Sequence, residues 1–555
     1  MNKFREKLLA YLMKTHDIRK LRIPRLILVG FICLTGLACN RNTPSASQVN
    51  APLTDIYYVD GSIGIAYCDT YNPDIRSCSS GNETAYRTII QAATMVQAGD
   101  TVLVQPDTYE GGITVETSGT SDAPITFQAL EPGVVIGGSG GERDAFLITY
   151  ADYIIVDGIT IQHADRAGLR IDNSNHVTIR NSTFANNQTW GVFTDFSDYT
   201  TIENSESYGS VEEHGIYISN SSDDPTIRGN RLHDNYSCGL HMNGDISMGG
   251  DGIISNAIVE NNIVYNNGEG GGSGINMDGV TDSVVRNNLL YNNHASGISV
   301  YQIDGGSASH GNRVLNNTIL MPSDGRWGLN VPDTDNQLFN NVLLSNHAYR
   351  GSILIGTPVE PGFASDYNVV VDRFAADGEG DIILSLAEWQ ALGYDLHSFI
   401  GTTSELFADP GSQDYHLASG SQAIDAGTAL VDVTSDLEGN PRPSGGGYDI
   451  GAYEFQPALV LYGSVGNGTI SLAWSVNTPL PLGVTWTIAY TGPTGDQPSP
   501  ITGIDASTRT YILTGLTNYK WYDVMLKTVG ADPVLSATVH LMPTDQRLYL
   551  PLLRR

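Results

Sequence analysis

The sequence predicts an all-β protein whose main part is a right-handed parallel β-helix with three strands per coil. The chief observation is a phrase, Gly-apolar-x-apolar, that recurs every 23 or 24 residues with two longer intervals. Each unit also holds two further short stretches of alternating apolar residues, such as those in VTIRNSTFANN and AIVENNIVYNN. With 61 Gly and only 8% aromatic residues, the composition is typical of a turn-rich β protein. The phrase reads GLRI at 168, GVFT at 191, GIYI at 215, GLHM at 239, GINM at 274, GISV at 297 and GLNV at 328.

Asparagines recur at one place in successive units, directly after a short apolar stretch. Identical side chains about 4.8 Å apart in stacked coils bond to one another and to turn backbone. We therefore predict a structural ladder rather than a catalytic set. Its members are Asn230, Asn262, Asn288, Asn317 and Asn341.

The N-terminal segment, residues 1–39, is typical of an export signal. Basic residues precede the apolar run LILVGFICLTGLA, which is shorter than a membrane span and ends at Ala38-Cys39. It resembles a bacterial lipoprotein signal, in which Cys39 would carry the lipid; plain cleavage and an uncleaved anchor are the alternatives. Residues 40–54 form a linker. We expect an exported protein at the cell surface or outside the cell, with membrane contact only through this segment; the sequence leaves the oligomeric state open.

The β-helix is assigned to residues 55–455, with a cap at its N-terminal end. Residues 86–98, YRTIIQAATMVQA, have the apolar spacing of a helix that covers the open end of the coil stack. Cys68 and Cys78 bracket a short loop and are predicted to form a disulfide, which suits an exported protein. Cys238 has no evident partner.

Residues 456–543 lack the repeat and contain longer alternating strands. The stretches ISLAWS, TWTIAYTG and TYILTGLTNYKWYDVML resemble a fibronectin type III domain, a small β-sandwich. The resemblance implies that Trp474 is its core tryptophan and that Leu516 and Tyr522 form its tyrosine corner. Residues 544–555 are a tail.

Charge limits the ligands. The chain has 29 Lys and Arg against 60 Asp and Glu, a formal charge of −31, which disfavours nucleic-acid binding. A polyanionic glycan would need a bound cation such as Ca²⁺. Lysine is missing between Lys20 and Lys520, so no lysine of the β-helix can act as a base.

The phrase itself indicates which side chains point outward. Gly is assigned to the turn and the apolar positions to the core, so x and the residue two beyond it lie on the outer surface. The x column reads Arg170, Phe193, Tyr217, His241, Asn276, Ser299 and Asn330. The second column reads Asp172, Asp195, Ser219, Asn243, Asp278, Tyr301 and Pro332, and the residues before two of the glycines add Trp190 and His214.

These columns suggest a site for a polysaccharide lying along the stacked coils. We expect His241 to transfer protons beside Tyr217 or Tyr301, with His214 and Asp278 as further catalytic groups. The predicted substrate contacts are Trp190, Phe193, Asp195, Asn243, Asn276 and Arg170. Inserts after the fourth and sixth phrases would wall the groove and bring Asp245, Asp251 and Asp304, candidate Ca²⁺ ligands. No organic cofactor is expected, because the nucleotide-binding motifs are missing.

Three regions are similar to known bacterial proteins. YYVDG at 57, TIIQAATMVQAGDTVLV, PDTYEGGITV and APITFQA resemble the start of right-handed β-helix proteins related to pectate lyase-like polysaccharide lyases. SLAEWQALGYDLHSF at 385 and FADPGSQDYHLASGSQAIDAG at 407 resemble the region that closes many of them. DLEGNPRPSGGGYDIGAYEF at 436 is similar to the choice-of-anchor segment of bacterial surface proteins.

The resemblance implies a carbohydrate-active protein but leaves its chemistry open. A lyase or an epimerase would need a base other than lysine, and a hydrolase would need two carboxylates at a suitable separation. Asp172 with Asp195, or Asp278 with Asp245 or Asp304, are the candidate pairs. The alternative from another class is a non-catalytic adhesin or structural glycan-binding protein at the cell surface.

Overall fold

The computed structural model describes residues 55–456, 459–476, 480, 482–492, 498–531 and 534–545. The predicted export signal 1–39 with Cys39, the linker 40–54 and residues 546–555 of the tail lie outside this range. Across the described residues, no helix is long and apolar enough to cross a bilayer.

The repeat forms the predicted right-handed parallel β-helix. Each coil contributes one strand to each of three sheets, and adjacent coils pair in parallel. Because inward side chains alternate with outward ones, a continuous apolar core runs through the stack from Val59 to Trp389. Sheet 1 within residues 55–456 consists of Ile56–Val59, Tyr67–Tyr71, Glu83–Tyr86, Thr101–Val104, Ile125–Ala129, Ile154–Asp157, Thr178–Arg180, Thr201–Glu203, Thr226–Arg228, Ile258–Glu260, Val284–Arg286, Arg313–Leu315, Gln337–Phe339 and Ala364–Asp366.

Sheets 2 and 3 follow sheet 1 within each coil. Sheet 2 consists of Asp107–Glu110, Val134–Gly137, Thr160–Gln162, Thr183–Ala185, Glu206–Tyr208, Arg231–His233, Ile263–Tyr265, Leu289–Tyr291, Thr318–Met321, Val342–Ser345, Val369–Val370 and Phe399–Ile400. Sheet 3, which carries the Gly-apolar-x-apolar phrase, consists of Ile113–Val115, Phe146–Thr149, Ala167–Asp172, Trp190–Asp195, Ile216–Ser219, Leu240–Asn243, Ile275–Asp278, Ile298–Tyr301, Leu329–Val331, Ile353–Ile355 and Phe374–Ala375. A short parallel pair, Ile254–Ser255 and Val280–Thr281, links two coils beside sheet 3.

The asparagine ladder is confirmed. Asn288 is fully buried, and its side chain donates to Asn317 Oδ1 at 2.9 Å and accepts from Asn262 at 2.9 Å. The ladder continues through Asn368, and Ser205 occupies the same position one coil before Asn230. These bonds satisfy backbone amides and carbonyls at the turns, which are buried away from water.

The glycine of the phrase is required by space rather than by a turn, which corrects the sequence interpretation. A Cβ on Gly215 would lie 2.7 Å from Nδ2 of Asn235 and 2.8 Å from the carbonyl oxygen of Gly239. Asn235 begins a second ladder, through Asn267 to Asn293, at the turn between sheets 2 and 3. A side chain at this column would therefore push adjacent coils apart.

The N-terminal cap is shorter than predicted. Its helix spans Ile89–Ala93, begins with a capping box between Thr88 and Gln91, and buries Ile89, Ala92 and Ala93 in the core. The predicted disulfide between Cys68 and Cys78 is present.

Residues 401–455, here the covering segment, lie on the outside of the coils rather than within the coil stack. The last coil strand is Phe399–Ile400, preceded by the helix Leu386–Ala391; the segment contains the helix Thr403–Leu406, the 3-10 helix Pro410–Ser412 and the antiparallel pair Phe407–Asp409 and Asp414–Leu417. Its apolar side chains pack on outward residues of sheet 2, among them Tyr291 and Leu344. A fully buried ion pair joins Arg442 to Glu454 at 2.8 Å inside it.

The described part of residues 459–545 forms two antiparallel sheets around a separate apolar core. One consists of Leu459–Gly466, Thr469–Val476 and Thr510–Leu513, and the other of Ile501–Asp505, Thr485–Thr491, Tyr522–Val529 and Ser536–Leu541. Trp474 is buried against Trp486, and the hydroxyl of Tyr522 accepts from the Thr517 amide at 2.9 Å. The assignment to the fibronectin type III family stays a prediction.

Candidate functional site

Sheet 3 aligns the predicted columns in register. His241 pairs with Tyr217 on one side and with Asn276 on the other, and Asn276 is followed by Ser299 and Asn330. The second column runs through Asn243, Asp278 and Tyr301 in the same strands. The repeat phrase therefore located these neighbours correctly.

His214 and His241, here the imidazole pair, form the most organised part of this surface. Nδ1 of His241 lies 3.0 Å from Nε2 of His214, and the Cys238 amide donates to Nδ1 of His214 at 3.2 Å. The ring of Tyr217 stacks on His241 with a centroid distance of 5.0 Å and an angle of 13°. The pair is held by backbone on one side and by an aromatic ring on the other.

This hydrogen-bond chain determines the tautomers. Because the Cys238 amide occupies Nδ1 of His214, a neutral His214 carries its proton on Nε2 and donates it to Nδ1 of His241. His241 then carries its own proton on Nε2. Burial lowers the pKa of His241 to about 4, and burial together with His241 lowers the pKa of His214 well below its usual value.

Both imidazoles are therefore neutral near pH 7, and His241 is a hydrogen-bond donor through Nε2. In this arrangement the Nδ1 lone pair of His241 is occupied and its Nε2 bears hydrogen, and the role of His241 in proton transfer stays a prediction. A neutral imidazole N–H suits the stabilisation of a partly negative oxygen.

A metal ion does not fit the imidazole pair. His214, Cys238 and His241 have ligand atoms within 4.8 Å of one another. However, coordination through Nε2 of His214 would require a lone pair there and would leave a proton on Nδ1, against the Cys238 amide.

Two polar atoms beside the imidazole pair are buried without a hydrogen-bond partner among the described residues: Nε2 of His241 and Oδ1 of Asn243. Asn243 uses its Nδ2 to donate to the Tyr217 hydroxyl at 3.0 Å. An unpaired buried polar group costs about 1–3 kcal/mol, so a donor and an acceptor left unpaired in one strand destabilise this coil unless a ligand or water binds them.

The tyrosines on this surface hold their protons at neutral pH. Burial raises the pKa of Tyr217 to about 12 and raises the pKa of Tyr301 further. Each is therefore a hydrogen-bond donor or acceptor rather than a ready base.

Asp278 has a structural role in this surface, and its predicted catalytic role stays a prediction. It is almost fully buried, and its carboxylate accepts from the amides of Ile303, Asp304 and Gly305 at 2.8–3.2 Å. The carboxylate thereby anchors the insert at residues 302–308 to sheet 3.

The inserts form the predicted wall, and Ca²⁺ binding there stays a prediction. The amide of Ile246 donates to the Asp304 carbonyl at 3.0 Å, joining residues 244–253 to residues 302–308. Asp245 caps the 3-10 helix Ile246–Met248, and Asp251 accepts from the Ile253 amide. Among the described residues, the three carboxylates of Asp245, Asp251 and Asp304 do not come within 4.8 Å of one another, so they form no chelating group.

Four predicted substrate contacts bond mainly to one another. Arg170 donates to Asp195 at 2.8 Å and lies 5.0 Å over the ring of Phe193, which is only 7% exposed. Trp190 packs on Phe193 and donates to Glu213. These residues therefore form a packed part of the wall. Their aromatic faces already contact other side chains and are not open for a sugar ring to stack on.

An open cleft of about 720 Å³ lies on the C-terminal side of the imidazole pair. Its floor is formed by outward residues of successive coils, Asn276, Ser299, Asn330 and Leu354, and Tyr301 lies at its wall. Asn276 and Tyr301 were predicted site residues. Sequence reasoning missed Arg326, Trp327, Arg350 and Glu379, which also line it.

The missed residues carried a usable signal. Trp327 directly precedes the glycine of a phrase, as Trp190 and His214 do, and Arg350 directly precedes Gly351 in the next coil. Following the residue before each glycine into the later coils would have placed Trp327 and Arg350 in the site.

Comparisons with known proteins agree on architecture. A family model described as right handed beta helix region matches residues 111–248. Protein YwoF of Bacillus subtilis (strain 168), which is uncharacterized, is 32% identical over 114 residues; the match covers 18% of this chain and 24% of that protein.

Solved structures of similar architecture include XylC in complex with xylose, with 13% identity, a TM-score of 0.45 and coverage of 72% of this chain and 98% of that chain. The periplasmic alginate epimerase AlgG has 15% identity, a TM-score of 0.33 and coverage of 49% and 78%. PfbA, a surface adhesin of Streptococcus pneumoniae, has 13% identity, a TM-score of 0.30 and coverage of 50% and 80%. With TM-scores below 0.5, these likenesses carry no conclusion about this chain.

Proposed function

We propose that this is an exported protein that binds a polysaccharide in the cleft of sheet 3 and modifies it beside the imidazole pair. One observation carries the proposal: the floor of the cleft is formed by side chains that occupy the same position in four successive coils, Asn276, Ser299, Asn330 and Leu354. Three coil intervals of about 4.8 Å make this floor roughly 14 Å long. A ligand that is itself a repeating chain matches such a surface.

The chemistry of the floor suits sugar hydroxyl groups. Asn276 and Asn330 supply amides, and the Ser299 hydroxyl lies 2.8 Å from that of Ser273 and 3.4 Å from Nδ2 of Asn330. Neutral donors and acceptors in alternation bind hydroxyls without requiring a charged ligand. Tyr301 adds a ring and a protonated hydroxyl at the edge.

The imidazole pair supports modification rather than binding alone. Once a side-chain movement in the wall exposes the buried Nε2 of His241, the neutral ring can donate to a sugar carboxylate and stabilise the negative charge that develops there when the neighbouring proton is removed. His214 and the Cys238 amide hold the other face of the ring in place. Lyase and epimerase chemistry both use such stabilisation.

Hydrolysis is the second candidate, favoured by Asp304. Burial and the nearby Asp278 and Asp245 carboxylates raise the pKa of Asp304, the direction needed in a general acid. A hydrolase would release reducing ends without unsaturated ends, whereas a lyase would release both.

The test is incubation of the purified chain with polygalacturonate, alginate, xylan and a neutral glucan, each with Ca²⁺ or with EDTA. Absorbance of unsaturated ends, reducing sugar and NMR of the product distinguish lyase, hydrolase and epimerase. His241→Gln should lower kcat about 10²–10³-fold, as removal of an oriented charge-stabilising donor does. His310→Gln is the control, because the His310 side chain is outside the cleft lining. Binding without any product would favour the non-catalytic adhesin instead.

Export is part of the proposal. The disulfide between Cys68 and Cys78 suits an oxidising compartment. Lipid attachment at Cys39 predicts that Cys39→Ala loses incorporation of labelled fatty acid in the producing bacterium; equal labelling of both proteins would reject it.

A further inference from the structure

Two arginines lie together in the cleft without an ion pair. Arg326 and Arg350 both line the cleft, and neither takes part in a salt bridge among the described residues. Ion pairs engage Arg76, Arg166, Arg170, Arg180, Arg228, Arg231, Arg286, Arg313 and Arg442. Arg87, Arg143 and Arg373 also form no salt bridge among the described residues, but they do not line the cleft. In a chain with a formal charge of −31, Arg326 and Arg350 therefore place two unpaired positive charges in one cleft.

The surroundings of Arg350 are cationic. Arg373 donates through Nε to the Arg350 carbonyl at 3.1 Å, so the two arginines are neighbours. Burial, Arg350 and Arg373 together lower the pKa of His347, which is the effect of a locally positive potential. Glu379 is the acid of the cleft lining, is exposed and pairs with neither arginine.

We propose that Arg326 and Arg350 form an anion subsite, which takes a carboxylate or a sulfate ester of the bound glycan directly, without a metal ion. The inference rests on the proposed function and names its ligand class, an acidic saccharide. Guanidinium groups bind both anions through paired N–H donors, so the two sources share one chemistry. The subsite also removes the objection that an acidic protein repels an acidic glycan, because the positive charge is local to the cleft.

The subsite lies apart from the carboxylates that were expected to bind Ca²⁺. Asp245, Asp251 and Asp304 are outside the cleft lining, whereas both arginines belong to it. Binding should therefore be indifferent to chelators.

The experiment measures affinity of the full chain for matched probes by calorimetry. Trigalacturonate is compared with its methyl ester, and dextran sulfate with dextran. We expect the wild type to prefer at least one acidic probe over its neutral counterpart by tenfold or more, with no change in EDTA. R326Q and R350Q should each lower that affinity about tenfold and leave binding of the neutral probe unchanged. R143Q, which removes an exposed arginine outside the cleft, should change neither.

The probe that shows the preference identifies the anion as carboxylate or sulfate. Equal affinity for acidic and neutral probes, loss of binding in EDTA, or unchanged affinity of R326Q and R350Q would overturn the subsite while leaving glycan binding intact. Absence of binding to every acidic and neutral glycan would overturn the proposed function, and the subsite with it.

Discussion

Replacing Asn288 tests the ladder that holds the coils in register. Its Oδ1 accepts from the backbone amide and from Nδ2 of Asn262, and its Nδ2 donates to the carbonyl of Val259 and to Oδ1 of Asn317, all at 2.9 Å. Asn288→Ala removes these four buried bonds and leaves the Asn262 amide without an acceptor. An orphaned buried donor costs about 1–3 kcal/mol and each of the three further bonds about 1 kcal/mol, so we expect a loss of about 4–6 kcal/mol.

Asn288→Ser provides the graded comparison, because earlier coils already use serine at this position. The Ser205 hydroxyl accepts from the Ser182 amide at 3.1 Å, so serine at 288 should still accept from the Asn262 amide. Its loss should be about 2 kcal/mol smaller than that of Asn288→Ala. Urea unfolding followed by far-UV circular dichroism measures both. Equal midpoints for all three proteins, or a serine variant less stable than the alanine variant, would refute the reasoning.

Three further predictions concern buried charge. The pKa of His241, about 4 when folded against 6.5 unfolded, means that the stability contributed by its neutral form is complete above pH 6.5 and that about 3 kcal/mol is lost as pH falls to 4. The difference between urea midpoints at pH 7.5 and 4.5 should be smaller for His241→Gln than for the wild type, since only His214 still contributes in the variant; an equal difference in both proteins would contradict this. Arg442→Met leaves Glu454 buried and unpaired, so it should lower the free energy of unfolding by about 3–5 kcal/mol. Replacing both Arg442 and Glu454 by apolar residues should lower it less. A double variant that unfolds at lower urea than Arg442→Met would count against this reasoning. Asp278→Ala should speed amide hydrogen exchange at residues 303–305 while that of residues 259–264 is unchanged, and unaltered exchange at 303–305 would exclude the anchoring role.

Much of the fold was predictable because successive coils are encoded by the same short sequence pattern. The phrase around Gly239 placed His241 beside Tyr217 and Asn276, and the recurring asparagines implied the ladder that the structure contains. Periodicity could do this because parallel stacking converts sequence spacing directly into spatial neighbours.

The roles of the site residues were less predictable because they depend on bonds outside the repeat. The hydrogen bonds of His241 depend on the amide of Cys238, which acts by way of His214, and the carboxylate of Asp278 accepts from loop amides. Neither partner is visible in a column of outward residues. Arg326 was missed because it lies two residues before Gly328, outside both outward columns.

The most direct measurement is a crystal structure of the full chain soaked with an acidic oligosaccharide such as trigalacturonate. We predict a sugar chain along the cleft, with successive rings over Asn276, Ser299 and Asn330 and an acidic group at Arg326 or Arg350. Sugar density confined to the C-terminal sandwich, or on sheet 1 or sheet 2, would contradict the account.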